Sequence, residues 1–223
     1  MKGFQKEERE RRPLDSLFPS VTGSTDSSRE DVLSETSETS HLLFEACRNG
    51  RVALLNDLLK DGFDLNFFNK NGDSPLHIAC QYGHDSIAHL ILDHGADLNL
   101  CDKNGDVPLH IASQYGHGSI VELLLSHNAN VDLCNHNEDN PLHIACQYGR
   151  GSIADLILDH GANLNLCNKN GDSPLHIACQ YAQEYIAYLI VHQGANLNLC
   201  NKNGDSPLRI ACQYEQEYIA NLI

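Results

Sequence analysis

Residues 71–83 read NGDSPLHIACQYG, and the same phrase returns, with small changes, at fixed distance along the chain. Its proline marks the period: Pro75, Pro108, Pro141, Pro174 and Pro207 stand 33 residues apart. Segments 71–103 and 170–202 are identical at 23 of 33 positions, which is duplication rather than coincidence and points to a repeat architecture. A divergent copy precedes them. Leu43, Ala46, Cys47, Gly50, Gly62, Asp64, Leu65 and Asn66 match Leu76, Ala79, Cys80, Gly83, Gly95, Asp97, Leu98 and Asn99, without the Ser-Pro start. The chain therefore divides into a first repeat at 38–70, full repeats at 71–103, 104–136, 137–169 and 170–202, and a sixth at 203–223 that stops midway.

Within 71–103 the chemistry of each position predicts its geometry. Ser74 caps free helix N–H groups, and Pro75 at the first helical position loses no hydrogen bond there. Leu76, Ala79 and Cys80 follow at helical spacing, and Gly83 permits a left-handed exit. A second helix starts near Asp85, its apolar stripe made by Ile87, Leu90, Ile91 and Leu92. Gly95 ends it, and Asn128 at the equivalent place also tolerates positive φ. Helices are expected over 75–82 and 86–93 and again every 33 residues. The segment from Ala96 onward is extended, and Asn-Gly at its tip reads as a tight turn. Such a unit cannot bury its apolar faces alone, so neighbours must stack into a solenoid.

SPLHIA at 74–79, PLHIA at 108–112, 141–145 and 174–178, the Gly83-His84 pair and GADLN at 95–99 resemble the ankyrin signature. The resemblance covers roughly 39–223. It implies an all-α solenoid of helix-turn-helix units with β-turn fingers, a concave face, and protein binding as the task. It also implies that His77, His110, His143 and His176 hydrogen-bond the turn, and that the pairs Gln81-Tyr82, Gln114-Tyr115, Gln147-Tyr148, Gln180-Tyr181 and Gln213-Tyr214 line the concave face. Tyrosine suits an interface, giving large contact area at low entropic cost. Fingertip residues Lys103, Asn104 and Asp106 complete that face. The sequence departs from the signature at Glu138 in place of the turn glycine, at Ala182 and Glu215 in place of the helix-end glycine, and at Arg209 in place of the histidine. Asn66, in LLKDGFDLN, resembles the ankyrin asparagines modified by an asparaginyl hydroxylase; a structural loop asparagine is the competing reading.

The rest of the composition narrows the function. Fifteen Lys+Arg against 30 Asp+Glu give a net charge of −15, which repels phosphate backbones and makes nucleic acid an unexpected partner. No apolar run approaches the roughly 20 residues that span a bilayer, and charged Met1–Arg12 leads into no apolar stretch, so neither membrane insertion nor a signal peptide is expected. Nine cysteines without CxxC pairs read as reduced thiols, which fits the cytoplasm or the nucleus. Cys101, Cys134, Cys167 and Cys200 form one ladder and Cys80, Cys146, Cys179 and Cys212 another. Rungs at repeat spacing, roughly 8–10 Å, are too far apart for disulfides. The histidines are excluded from a shared metal by the same spacing. Every Ser, Cys and His candidate recurs identically, which is scaffold behaviour, so neither catalysis nor a cofactor is expected.

Residues 1–37 differ in kind. From Ser16 to Ser40, 12 of 25 residues are Ser or Thr, and the segment reads as a disordered tail. Ser27 and Ser28, each with an acidic residue three positions on, resemble acidophilic kinase sites. At the other end Ile223 aligns with Ile91 and leaves the last repeat without a polar cap, as in a fragment of a longer chain. The reading is a monomeric protein–protein interaction module: adaptor, scaffold or inhibitor by occlusion. The alternative is a regulatory or structural segment of a larger enzyme, channel or kinase.

Overall fold

A computed structural model describes the backbone of residues 27–60 and 62–223, and side chains from Glu38 onward except Asp61. The chain divides into two units, Met1–Ser37 and Glu38–Ile223, and the second carries the repeats. It contains helix pairs: α3 (Pro75–Tyr82) with α4 (Asp85–Asp93), α5 (Pro108–Tyr115) with α6 (Gly118–Ser126), α7 (Pro141–Gln147) with α8 (Gly151–Asp159), α9 (Pro174–Gln180) with α10 (Glu184–His192), and α11 (Pro207–Gln213) with α12 (Glu217–Leu222). The expected bounds of 75–82 and 86–93 are met to within a residue. The first repeat supplies α1 (Ser27–Asn49) and α2 (Val52–Leu59). No strand occurs among the described residues.

Helix α1 corrects one expectation. It opens at Ser27, inside the stretch read as a disordered tail. Ser/Thr-rich composition lowers helix propensity but does not forbid a helix. From Ser27 to Asn49 there is no proline or glycine to break one, and Leu43, Ala46 and Cys47 anchor its far end in the core. Ser27 and Ser28 thus begin this helix; their side chains lie outside the described residues.

First helices pack in one row, α3 on α5, α5 on α7, α7 on α9 and α9 on α11, and second helices in another. Leu76, Ala79 and Cys80 of the first row meet Ile87, Ala88 and Ile91 of the second, all essentially without solvent exposure, and the pattern recurs in each full repeat but not the sixth, where Leu208 and Cys212 are exposed. The core is thus one continuous layer that no single repeat completes. Burial pushes the thiol of Cys47 up to about 12, and that of Cys80 higher still. These cysteines are small apolar wedges, not nucleophiles.

Two of the sets of side chains that join repeat to repeat act at the helix ends. In the first, the imidazole of His77 accepts from the Ser74 N–H at Nδ1 (3.1 Å) and donates from Nε2 to the Asp106 carbonyl of the next finger (2.9 Å). His110, His143 and His176 repeat this, with Nε2 to Asp139, Asp172 and Asp205 carbonyls at 2.9, 3.0 and 3.1 Å. A backbone N–H can only donate and a carbonyl only accept, so these partners hold His77, His110 and His176 as the neutral Nε2–H tautomer; at His143 the side-chain oxygen of Asn140 also lies 2.6 Å from Nδ1, an acceptor where that tautomer offers no proton. In the second set, His84, His117 and Arg150 reach back to the carbonyls of Arg48, Gln81 and Gln114 at 2.9, 3.2 and 3.0 Å. These carbonyls lie in the last turn of the preceding first helix. In the last two repeats Gln183 and Gln216 bond Tyr181 and Tyr214 of their own repeat instead.

The departures from the signature are absorbed locally. Glu138, Ala182 and Glu215 adopt the positive φ of the glycines they replace, at 62°, 57° and 57°, and Asn128 does so at 62°. Such backbone costs a non-glycine residue roughly 1–2 kcal/mol. Arg209 cannot mimic histidine; its guanidinium forms an exposed ion pair with Asp205 at 2.8 Å.

Burial lowers the pKa of all four bridging histidines, against the smaller opposing pull of the acceptor carbonyl and nearby carboxylates. The unfolded chain, with imidazoles near 6.5, therefore binds more protons than the native one at mildly acid pH. The stabilisation is full above about pH 6.5 and is lost as pH falls from there toward the lowered native values. The urea midpoint should be lower at pH 5.5 than at pH 7.5; an equal or higher midpoint at pH 5.5 would show that these rings charge freely in the fold.

Candidate functional site

The finger-side face is built from three rows. Ile78, Ile111, Ile144, Ile177 and Ile210 form the floor, buried or half-buried. One turn further along each first helix come the Gln-Tyr pairs. Tyr82, Tyr115, Tyr148, Tyr181 and Tyr214 are each 42–46% exposed, which leaves one open aromatic face per repeat in five consecutive repeats. Gln81 Nε2 donates to the Tyr115 hydroxyl at 3.1 Å, linking two rungs. Opposite stand the fingers, and between fingers and helices run open grooves. One joins Asn104, Asp106, Gln114 and Tyr115 to Asp73, Gln81 and Tyr82. Another joins Lys103, Asn104 and Asp106 to Gln147 and Tyr148. A third holds Gln180, Gln213 and Tyr214. The structure brings these sequence-predicted residues onto one face; Tyr181 shares the row without lining these three grooves.

The fingers owe their shape to residues the sequence reading passed over. Asn69 closes the first finger: its N–H donates to the Asp73 carbonyl and its carbonyl accepts from Gly72 N–H, at 2.9 and 3.0 Å. Its side-chain Oδ1 accepts from the N–H groups of Asn71 and Asp73. Gly72 at φ 87° makes this a three-residue loop ending in a left-handed residue, rather than a two-residue Asn-Gly turn. Asp102, Asn135, Asn168 and Asn201 do the same for the later fingers. Three of them also cross to the finger before. Asn135, Asn168 and Asn201 donate Nδ2–H to the carboxylates of Asp106, Asp139 and Asp172 at 2.8, 2.8 and 2.7 Å. Backbone bonds from His136, Lys169 and Lys202 to Asn104, Asn137 and Asn170 tie the same fingers together. The Asp102 side chain has no N–H to donate, so the Asn–Asp rung is missing between the first two fingers, which the Lys103 ammonium joins instead by donating to the Lys70 carbonyl.

Other candidates have structural duties. Ser74 Oγ lies 2.7 Å from His77 Nδ1 and Ser173 Oγ 2.8 Å from His176 Nδ1. Both pairs are buried at a helix start, with Nε2 held by a backbone carbonyl, so neither has access or a free base nitrogen. Cys101, Cys134 and Cys167 are exposed, yet partial desolvation and then neighbouring aspartates raise their pKa, so their thiols stay protonated at neutral pH. Asn66 is exposed; its Oδ1 accepts from the Asp97 N–H at 2.8 Å, a repeat-to-repeat contact, and its own N–H donates to Asp64. Among the described residues no His, Cys, Asp and Glu side chains gather as a metal-holding group, and no helix is long and apolar enough to cross a membrane.

A family model for ankyrin repeats in three copies matches residues 43–135, 86–166 and 142–223, well over half of the chain. The chain belongs to the ankyrin-repeat family. Comparison with curated proteins finds no match. Ankyrin repeats are in general non-catalytic protein–protein interaction modules.

The gap at Asp102 gives a direct test of the finger ladder. Asp102→Asn keeps the loop-closing acceptor, adds a donor toward Asp73 and removes a like charge. It should raise the urea-unfolding free energy by about 0.5–1.5 kcal/mol, the net value of one hydrogen bond. No change or a loss would show that the ladder contributes nothing at this position.

Proposed function

We propose that the chain works as an interaction module, an adaptor, scaffold or inhibitor by occlusion, that holds one partner protein along the concave, finger-side face. The observation that supports this is the tyrosine row. Five equivalent rings stand nearly half exposed in register, on a scaffold whose buried polar side-chain atoms, among the described residues, are all hydrogen-bonded. Aromatic surface set on rigid helices orders little on binding and is the kind that dominates interface energetics. The partner residues assigned to this face are the Gln-Tyr pairs of the second to fifth repeats with Lys103, Asn104 and Asp106. The nine free thiols suit a reducing compartment, cytoplasm or nucleus, and the module acts as a monomer.

The test uses a partner captured from the source cells and then purified. Replacing Tyr115, Tyr148 and Tyr181 together with Ala should weaken its binding by at least ~2 kcal/mol, roughly 30-fold, in calorimetry. Far-UV circular dichroism should stay unchanged, because these rings are outside the core. Unchanged affinity with an intact fold would remove the face from the interface.

A further inference from the structure

We propose that the partner segment on this face is extended and carries arginine side chains spaced about three residues apart, one entering each groove between tyrosine and aspartate. This rests on the interface reading above and specifies the chemistry of what that face takes.

The first groove already contains an arginine from the chain itself. Arg48 occupies, in the first repeat, the position that Gln81 occupies in the second. Its guanidinium carbon lies 5.7 Å from the centre of the Tyr82 ring, in the groove that Asp73, Asp102 and Asp106 also line. A planar cation between an aromatic face and carboxylates is a favourable arrangement, and guanidinium suits it better than ammonium because it stacks and forks to carboxylates at once. From the second repeat on, Gln81, Gln114, Gln147, Gln180 and Gln213 replace that arginine. The rings remain, with two of the three acids: Asn135, Asn168 and Asn201 stand where the first groove has Asp102. Among the described residues no further Arg or Lys stacks on Tyr115, Tyr148, Tyr181 or Tyr214. Asp106, Asp139 and Asp172 repeat the carboxylate beside the later grooves, while Asp205, beside the last, is paired with Arg209. The grooves before the last thus keep a tyrosine ring and two carboxylates without a cation like Arg48, on a chain of net charge −15.

Two features set the spacing. Packed helices lie roughly 8–10 Å apart, and an extended chain advances about 3.3 Å per residue, so one arginine in three meets successive grooves. The fingertips carry Lys103, Lys169 and Lys202, which repel a block of contiguous cations lying across them. The acids are recessed between the tips, where separated side chains reach them singly.

The experiment uses the full 223-residue chain at physiological salt and three fluorescein-labelled peptides: five Arg-Ser-Gly units, the same residues with the arginines in one block, and five Lys-Ser-Gly units. In fluorescence anisotropy the spaced arginine peptide should bind at least ~10-fold tighter than the block and several-fold tighter than the lysine peptide. The triple variant Asp106→Asn, Asp139→Asn, Asp172→Asn keeps an oxygen to accept the finger-ladder bonds and removes three charges. It should lower that affinity at least ~10-fold, with circular dichroism unchanged. Equal affinity for spaced and blocked arginines, or for parent and triple variant, would overturn the proposal. If the spaced peptide fails while the tyrosine variants still release the captured partner, the face binds a partner of other chemistry. If the peptide binds while the partner ignores the tyrosines, the interface reading falls instead.

Discussion

Every full repeat is located by a neutral imidazole. His77 and its equivalents at 110, 143 and 176 are at most 2% exposed, and each ring is held at both nitrogens, by the cap of its own helix and by the finger of the next repeat. One side chain therefore sets two things at once: where the first helix starts, and where the following finger stands relative to it. Burial disfavours a charged ring at all four positions, and at His110, capped by Val107, a second ring proton would point at a backbone N–H. The remaining inter-repeat contacts add to a spacing that the histidines define. The Asn–Asp finger ladder locks tips to tips, and His84, His117 and Arg150 tie each second-helix start to the previous first helix.

That division of labour leaves the finger-side face outside the core. The helices bury Leu76, Ala79 and Cys80 and their equivalents on one side and turn Gln and Tyr outward on the other. The fingers are closed from within by Asn69 and its equivalents and joined to one another, so the aspartates beside the grooves are fixed rather than wandering. Rigid aromatic rings beside fixed carboxylates form a preorganised surface, as the proposed interface requires. The array is not uniform, however. Asp102 interrupts the finger ladder near its start, and near its end Gln183 and Gln216 hydrogen-bond their own repeat rather than the preceding first helix.

What was legible in the sequence was whatever a single repeat decides alone. Ser74-Pro75 and Gly83 bound the first helix because capping, ring closure and positive φ are local demands. Gly95 and Asn128 mark the second helix end for the same reason. The Gln-Tyr row was visible because identical copies share one helix face. What depends on the distance between copies was not. Nothing in NHNED at 135–139 announces that Asn135 donates to Asp106, because the two are joined only after stacking. Nor does His84 reveal that it reaches Arg48, or Arg48 that it lies over Tyr82. The helical stretch from Ser27 was missed because Ser/Thr-rich composition was weighed without the anchor that Leu43, Ala46 and Cys47 provide downstream. Ala182 and Glu215 reverse the lesson: backbone set by neighbours forces a glycine conformation on residues that do not favour it.

The tautomer of the bridging histidines is the most direct test of the central claim. Long-range nitrogen–proton correlation NMR on uniformly labelled protein at pH 7 reads which ring nitrogen carries the proton. His77, His110 and His176 should each show a protonated Nε2 and a bare Nδ1, with one slowly exchanging Nε2–H per ring. Rings protonated at both nitrogens, or rapidly exchanging between tautomers, would contradict the account: the repeats would then be held in register by something other than these imidazoles.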